Sequence, residues 1–279
     1  MKKKLSVVLA VRNEEENLRR CLESVKGIAD EIVVVDEYST DKTKEVAKSF
    51  NAKVYLEPHH DIFHITKQKG LEKATGDWIL QLDADEVVTP ELAKEIEQVL
   101  EGSHLPRIRD LFRQHQSLIE KRDGVIGAKT GEIVGYFIPR INMFLGKPLI
   151  HAGVYPDGVI RLVKNGKASF PQKSVHEQIV LDGEVSWLGS DLIHNDSPTL
   201  KRYFKRFNSY TSLHASELKE KNTSKNLIGF FLYTVYHPIY TFLNLYLRHR
   251  GFLDGVHGFL WSFFSALHFP IAYLKYVTG

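Results

Sequence analysis

Apolar and polar positions alternate between two rhythms over the first hundred residues. Leu5–Val11 is a continuous apolar run that reads as a buried strand, and Glu14–Lys26 follows with Leu18, Cys21, Leu22 and Val25 at helical spacing. Glu31–Val35 is a second buried run ending at Asp36; Asp41 can cap a helix over Lys42–Phe50, and Ala52–Leu56 is a third strand. A helix over Ile65–Ala74 then leads to the apolar run Trp78–Leu82, which stops at Asp83-Ala84-Asp85-Glu86. Thr89 as N-cap with Pro90 at the first helical position opens a helix to Leu100. Apolar strands separated by helices of this length predict an α/β fold, a mostly parallel sheet of Rossmann-like type with helices on both faces.

The middle of the chain changes rhythm. Leu105, Ile108, Leu111, Phe112 and Ile119 form a helical stripe over 105–121, and after Gly124 the pattern turns to strands through Tyr136–Pro139, Val159–Val163 and Val175–Leu181. From Leu227 the composition shifts again: Leu227–Leu247 carries no Asp, Glu, Lys or Arg, and a second aromatic stretch runs from Val256 to Val277. Three arrangements are open for this end: helices lying in a membrane interface, a buried hairpin, or one span. His237-Pro238, Asn244 and several tyrosines weigh against a span, and the mixture of aromatic and basic residues favours the interface, with Arg248, Arg250 and Lys275 as its basic rim. The expected organisation is therefore 1–101, 102–226 and a C-terminal aromatic helical segment over 227–279.

Composition narrows the class. A chain of 279 residues can bury a substantial core, and 37 basic against 34 acidic residues give a net charge of only +3, which does not imply a nucleic-acid partner. The single cysteine, Cys21, excludes a disulfide framework, fits a reducing compartment and reads as core. Met1–Lys4 followed by Leu5–Val11 superficially resembles a signal peptide, but the apolar stretch is short and runs into Arg12-Asn13-Glu14, so it is expected to be the first strand.

Candidate chemistry lies where strands end. Arg12, Asn13 and Glu14 follow the first strand, Asp36, Ser39, Thr40 and Asp41 the second, and Asp83 and Asp85 the fourth. An isolated Asp-x-Asp is more often a solvated turn. Three polar strand ends on one sheet edge are another matter, because ligands of open α/β sheets bind outside the carboxyl ends of the strands. Carboxylates clustered there suit a hard divalent cation, Mg²⁺ or Mn²⁺, which in turn holds phosphate oxygens.

With these residues in hand, the chain resembles the family 2 inverting glycosyltransferases of GT-A fold, and within them the bacterial lipopolysaccharide core glucosyltransferase and cell-wall biogenesis group. The matching stretches are Leu5–Asn17, Ala29–Thr43, Ala74–Glu86, Pro139–Leu145, Gly153–Leu162, Val175-His176-Glu177, Leu192–His194 and Gly251–Phe259. The chain departs from that group at Glu37-Tyr38, where a small residue is expected, at Lys69-Gly70, where Asn commonly follows the basic residue, and in the length of the 105–121 helix.

The resemblance implies transfer of a hexose, glucose foremost, from a UDP-sugar to a lipid-linked or lipopolysaccharide saccharide, at the cytoplasmic face of the cell membrane. It implies that Val11, Arg12, Asn13 and Glu14, with Asp36 and Asp41, hold the uridine, and that Lys67 or Lys69 lies by the nucleotide. Asp85 becomes the metal ligand, Asp83 a ribose or metal contact, and His194 a third metal ligand or a diphosphate contact. Arg161 becomes a clamp on a phosphate of donor or acceptor. Glu177 becomes the general base on the acceptor hydroxyl, with His176 orienting it or binding the acceptor. Other readings are a sugar nucleotidyltransferase, which wants a glycine-rich loop that Arg12–Glu16 lacks, or a non-catalytic membrane-associated nucleotide-binding module.

Overall fold

The computed structural model describes residues 2–60, 62–103, 108–171 and 179–279. These form two compact units, Met1–Arg140 with Pro156–His194, and Ile141–Tyr155 with Asn195–Gly279. The division does not coincide with the boundaries expected near 101 and 226, because the helix before Leu227 belongs with the C-terminal helices.

The first unit opens with β1 (Leu5–Val11), α1 (Glu15–Val25), β2 (Glu31–Asp36), α2 (Thr43–Ser49), β3 (Lys53–Leu56), α3 (Phe63–Lys73), β4 (Trp78–Leu82), β5 (Glu86–Val88) and α4 (Pro90–Glu101). It continues with α5 (Asp110–Asp123), β6 (Ala128–Phe144), β7 (Lys147–Leu149), β8 (Asp157–Lys164), β9 (Ala168–Ser169), β10 (Val180–Leu181), β11 (Glu184–Trp187) and β12 (Leu192–Ser197), of which β7 and the ends of β6 and β12 belong to the second unit. The strand order β3-β2-β1-β4-β8-β6 joins a parallel half, β3 to β4, to an antiparallel half that begins where β8 pairs with β4.

All seven residues of β1 are buried, as expected of a strand covered on both faces. Leu5, Val7, Leu9 and Val11 share one core with Leu18, Cys21, Leu22 and Val25 of α1 and with Leu92 and Ile96 of α4. Val8 points the other way, into a core with Leu71, Ile79, Phe112, Phe137 and Trp187. There α3 comes so close to the sheet that a Cβ on Gly70 would lie 2.5 Å from Val8 Cγ1, which accounts for glycine at this position. Thr89 caps α4 by accepting from the Leu92 N–H at 3.2 Å, and Gly102 ends the helix in the left-handed region at φ 72°. The inserted helix is described over Asp110–Asp123. Phe112 and Ile119 are its buried face, whereas Leu111 and Leu118 are exposed, so the apolar stripe is narrower than the periodicity suggests.

The second unit adds α6 (Leu200–Glu220), α7 (Leu227–Phe231), α8 (His237–Leu243) and α9 (Gly255–Thr278). A wider π-helical turn at Leu232–Tyr236 leads into α8 ahead of Pro238, whose missing N–H cannot continue a regular ladder. Leu218 of α6 packs with Tyr273 and Tyr276 of α9, and His214 Nδ1 meets His268 Nε2 at 3.0 Å between the same helices. Lys275 is tied to α6: its ammonium lies within 2.9 Å of Asn208 O and Oδ1, Thr211 Oγ1 and Ser212 Oγ. Among the described residues, no helix is long and apolar enough to cross a membrane.

Candidate functional site

The loops after β1 and β2 are tied together through side chains. Asn13, at φ 54°, donates its backbone N–H to Ser39 Oγ at 2.9 Å and accepts the Thr40 N–H on Oδ1 at 2.8 Å. Ser39 in turn donates its backbone N–H to Asp36 Oδ1 at 3.0 Å, so the buried Asp36 carboxylate orders the rim of the loop. Glu14 N–H reaches Thr43 Oγ1 at 2.8 Å and Glu15 N–H reaches Asp41 Oδ2 at 3.2 Å. Burial pushes the Asp41 carboxyl up, but the hydroxyl and N–H of Thr43 outweigh it and hold it below the usual range. Val11 is buried at the end of its strand, and Arg12 is exposed beside it. Glu37, buried at 2% exposure, bonds Thr66 and lies 2.7 Å from His59 Nδ1, which anchors the start of α3 to this loop.

At the end of β4, Asp83 is held by two cations. Lys67 Nζ of α3 lies 2.7 Å from Asp83 Oδ1, and Arg161 of β8 bonds Asp83 Oδ2. Burial pushes the Asp83 carboxyl up, but Arg161 and Lys67 together hold it well below the usual carboxylate range. Burial lowers the Lys67 ammonium's pKa more than Asp83 raises it. Of the two lysines in question, the structure brings Lys67 to the carboxylates; Lys69 instead pairs with Glu57.

Behind Asp83 lies a charge cluster that the sequence reading did not anticipate. Glu86 is fully buried and accepts from Arg161 Nη2 at 2.7 Å and Arg140 Nη1 at 3.1 Å, while its other oxygen accepts the Asp83 N–H at 2.9 Å. Arg140 also bonds Asp157 Oδ2, from Nη2 at 2.6 Å and Nε at 2.9 Å. Gln81 Oε1 accepts from Arg161 Nη1 at 2.7 Å. Three carboxylates, Asp83, Glu86 and Asp157, thus meet three cations, Lys67, Arg140 and Arg161, and no charge is buried unpaired. The signal was present: Glu86, Arg140 and Asp157 all lie in stretches that carry the family resemblance, but sequence alone does not pair Glu86 with Arg140, 54 positions away, or with Arg161, 75 positions away.

This cluster corrects the expectation for Arg161. Its Nε and both terminal nitrogens are spent on Gln81, Asp83 and Glu86, so it clamps carboxylates and is not presented to a phosphate. Asp83 has one oxygen on each cation, Lys67 and Arg161. Asp85 is different. Its Oδ1 lies 3.6 Å from His194 Nε2, brought there because Leu192–His194 of β12 pairs antiparallel with β5, His194 opposite Glu86. A carboxylate oxygen and an imidazole nitrogen side by side fit two corners of a divalent cation's shell and leave about four positions for water or phosphate oxygens. No group of three or more metal-ligating side chains occurs among the described residues. Glu177 and His176 lie outside the described residues.

The chain is similar to known proteins. Residues 6–105 match the family model of glycosyl transferase family 2. An uncharacterized glycosyltransferase of Rickettsia typhi is 27% identical over 274 residues, 95% of this chain and 83% of that protein. The lipopolysaccharide core biosynthesis glycosyltransferase LpsC of Rhizobium meliloti is 27% identical over 277 residues, 94% of this chain and 90% of that protein. Among solved structures, glucosyl-3-phosphoglycerate synthase of Mycobacterium tuberculosis, in complex with Mn²⁺, UDP-glucose and phosphoglyceric acid, has a TM-score of 0.32 and 24% identity. That likeness covers 37% of this chain and 41% of the other. The family match spans the loops that carry Asn13, Asp36 and the Asp83–Asp85 pair, and the likeness to proteins named glycosyltransferases extends along nearly the whole length: residues 6–105 carry a glycosyl transferase family 2 domain.

Proposed function

We propose that the chain moves a hexosyl residue, glucose foremost, from a UDP-sugar to a lipid-linked or lipopolysaccharide saccharide, with inversion and with a divalent cation. The observation that carries the donor half is the pairing of Asp85 with His194 at 3.6 Å, beside an Asp83 immobilised by Lys67 and Arg161. Asp85 and His194 would hold Mg²⁺ or Mn²⁺, which supplies charge stabilisation for the departing diphosphate without proton transfer. Asp83, kept ionised and fixed in direction, accepts from the ribose hydroxyls. The loop of Arg12, Asn13 and Glu14, ordered by Ser39 and Asp36, receives the uracil, and Lys67 adds positive charge on the nucleotide side.

On the acceptor side, Glu177 takes the proton from the attacking hydroxyl, and His176 orients it. A single displacement with an external base inverts the anomeric carbon. A lipid-linked acceptor suits the C-terminal helices, which carry exposed Leu227, Ile228, Phe231, Ile239, Tyr240 and Val256 with Arg248 and Arg250 nearby in sequence. Such a surface lies in the headgroup region of an anionic membrane.

Calorimetric titration of UDP with and without Mn²⁺ tests the donor half. Asp85→Ala is expected to abolish the Mn²⁺-dependent gain in affinity, and Glu177→Gln to leave UDP binding intact while transfer is lost. An Asp85→Ala protein that still gains from Mn²⁺ overturns the metal assignment.

A further inference from the structure

Within the second unit, His151 and Asp254 form a dyad that the donor site does not use. Asp254 Oδ1 lies 2.7 Å from His151 Nδ1, and Asp254 Oδ2 accepts the backbone N–H groups of His151 at 2.8 Å and Ile150 at 3.2 Å. The Asp254 side chain is 7% exposed and that of His151 34%, so the carboxylate is buried beneath a ring that reaches solvent. A carboxylate that accepts Nδ1–H fixes the tautomer and leaves the lone pair on Nε2. Among the described residues, Nε2 has no hydrogen-bond partner.

The backbone around the dyad is held in costly conformations. Ala152 (φ 53°) and Gly153 (φ 69°) on one side and Arg250 (φ 55°) on the other are left-handed, which is strained at each non-glycine position. The two segments are fastened together by Ala152 N–H donating to His249 O at 2.9 Å. They also meet at Gly251, where a Cβ would lie 2.9 Å from Leu245 O and 3.1 Å from Ala152 Cβ. A loop tie needs no more than the two backbone hydrogen bonds on Asp254 Oδ2. The additional bond to the ring orients an otherwise mobile imidazole, as preorganised sites do.

We infer that His151, positioned by Asp254, is a binding residue for a hydroxyl of the saccharide acceptor, which donates its O–H to Nε2. The chemistry favours a hydroxyl over an anion, because an imidazole backed by a carboxylate lies in a locally negative setting. It favours a hydroxyl over a metal ion, because Nε2 is the only ligand the dyad offers. Phe252 and Leu253, exposed in the same turn as Asp254, supply apolar surface for the C–H face of a sugar or for an alkyl aglycone. The inference rests on the chain's being a glycosyltransferase and not on UDP, the cation or Glu177.

The test uses the full chain labelled with ¹⁵N-histidine, with His151 assigned by the signal missing from His151→Gln. Long-range ¹H–¹⁵N spectra are expected to show the proton on Nδ1, and n-octyl β-D-glucopyranoside below its micelle concentration should shift the Nε2 resonance saturably. Methyl β-D-glucopyranoside should shift it with weaker affinity, which separates sugar recognition from recognition of the alkyl chain. Asp254→Asn should release the tautomer and weaken octyl glucoside binding at least fivefold. An Nε2 resonance that neither glycoside moves, or a proton resident on Nε2 in the unliganded chain, overturns the inference. The wild-type titration decides even if Asp254→Asn does not fold.

Discussion

Glu86 and Arg161 form a fully buried ion pair, 2.7 Å between Oε1 and Nη2, and through it the Asp83 carboxylate is set in place. Arg161 reaches Asp83 with the same terminal nitrogen, and Glu86 takes the Asp83 N–H with its second oxygen. The donor-side carboxylate is therefore gripped at both side chain and backbone. Its direction is decided by a cluster beneath it, not by the flexibility of the loop it sits on.

Glu86→Ala would leave Lys67, Arg140 and Arg161 with two carboxylates, Asp83 and Asp157, among them and a buried excess of positive charge. Removing one partner of a buried pair typically costs about 3–5 kcal/mol. Urea unfolding of the variant is expected to show a loss in that range. A loss below about 1 kcal/mol, the level of a surface pair, would reject the cluster as a structural support.

Lys67 and Lys69 separate by position. Lys67→Met removes a charge-assisted hydrogen bond from Asp83, worth about 1.5–3 kcal/mol, and UDP affinity is expected to fall by roughly 10- to 100-fold. Lys69→Met, which breaks a partly exposed pair with Glu57, should change UDP affinity by less than about twofold. Isothermal titration of both variants checks the contrast.

At the opposite end of the parallel strands, Glu31 receives Lys53 Nζ at 2.6 Å, Ser6 Oγ and the Thr75 N–H at 2.8 Å. Burial raises its carboxyl, but these partners outweigh it and hold the pKa at about 2. The unfolded value is about 4.3, so the native state favours the ionised form. Its stabilising contribution is complete above about pH 4.3 and is lost as pH falls through about 2. Stability measured against pH should show the gap between wild type and Glu31→Gln wide at pH 6 and narrowing toward pH 2. A gap independent of pH would contradict the assignment.

For the membrane surface, flotation with vesicles rich in anionic lipid is the direct measure. The full chain should float, and replacing Arg248 and Arg250 together by Gln should weaken flotation and reduce its sensitivity to salt. Equal flotation of the doubly substituted chain at all salt concentrations would remove the two arginines from the docking surface.

Much of the fold was legible in the residues because its signals are local. Continuous apolar runs specify β1, β2 and β4, helical spacing specifies α1, and Thr89-Pro90 marks the start of α4 within a residue. Asn13, Asp36 and Asp83 stand at strand ends for the same reason, and a parallel sheet carries its strand ends to one edge. The partners of Arg161 and Lys275 were not legible because they lie far away in sequence: Gln81, Asp83 and Glu86 for one, the α6 residues Asn208, Thr211 and Ser212 for the other. A long cationic side chain carries no sequence mark that says whether it faces a ligand or a buried acceptor.

The sequence by itself determined the α/β class, the strand ends and the family 2 likeness of residues 6–105, since periodicity and short motifs are properties of neighbouring residues. Only the tertiary structure decided that Asp83 is gripped by Lys67 and Arg161 while Asp85 meets His194, and that His151 rests on Asp254. Those pairings join residues 16 to 109 positions apart. They exist because strand register and helix packing bring together groups whose burial without a partner would be too costly.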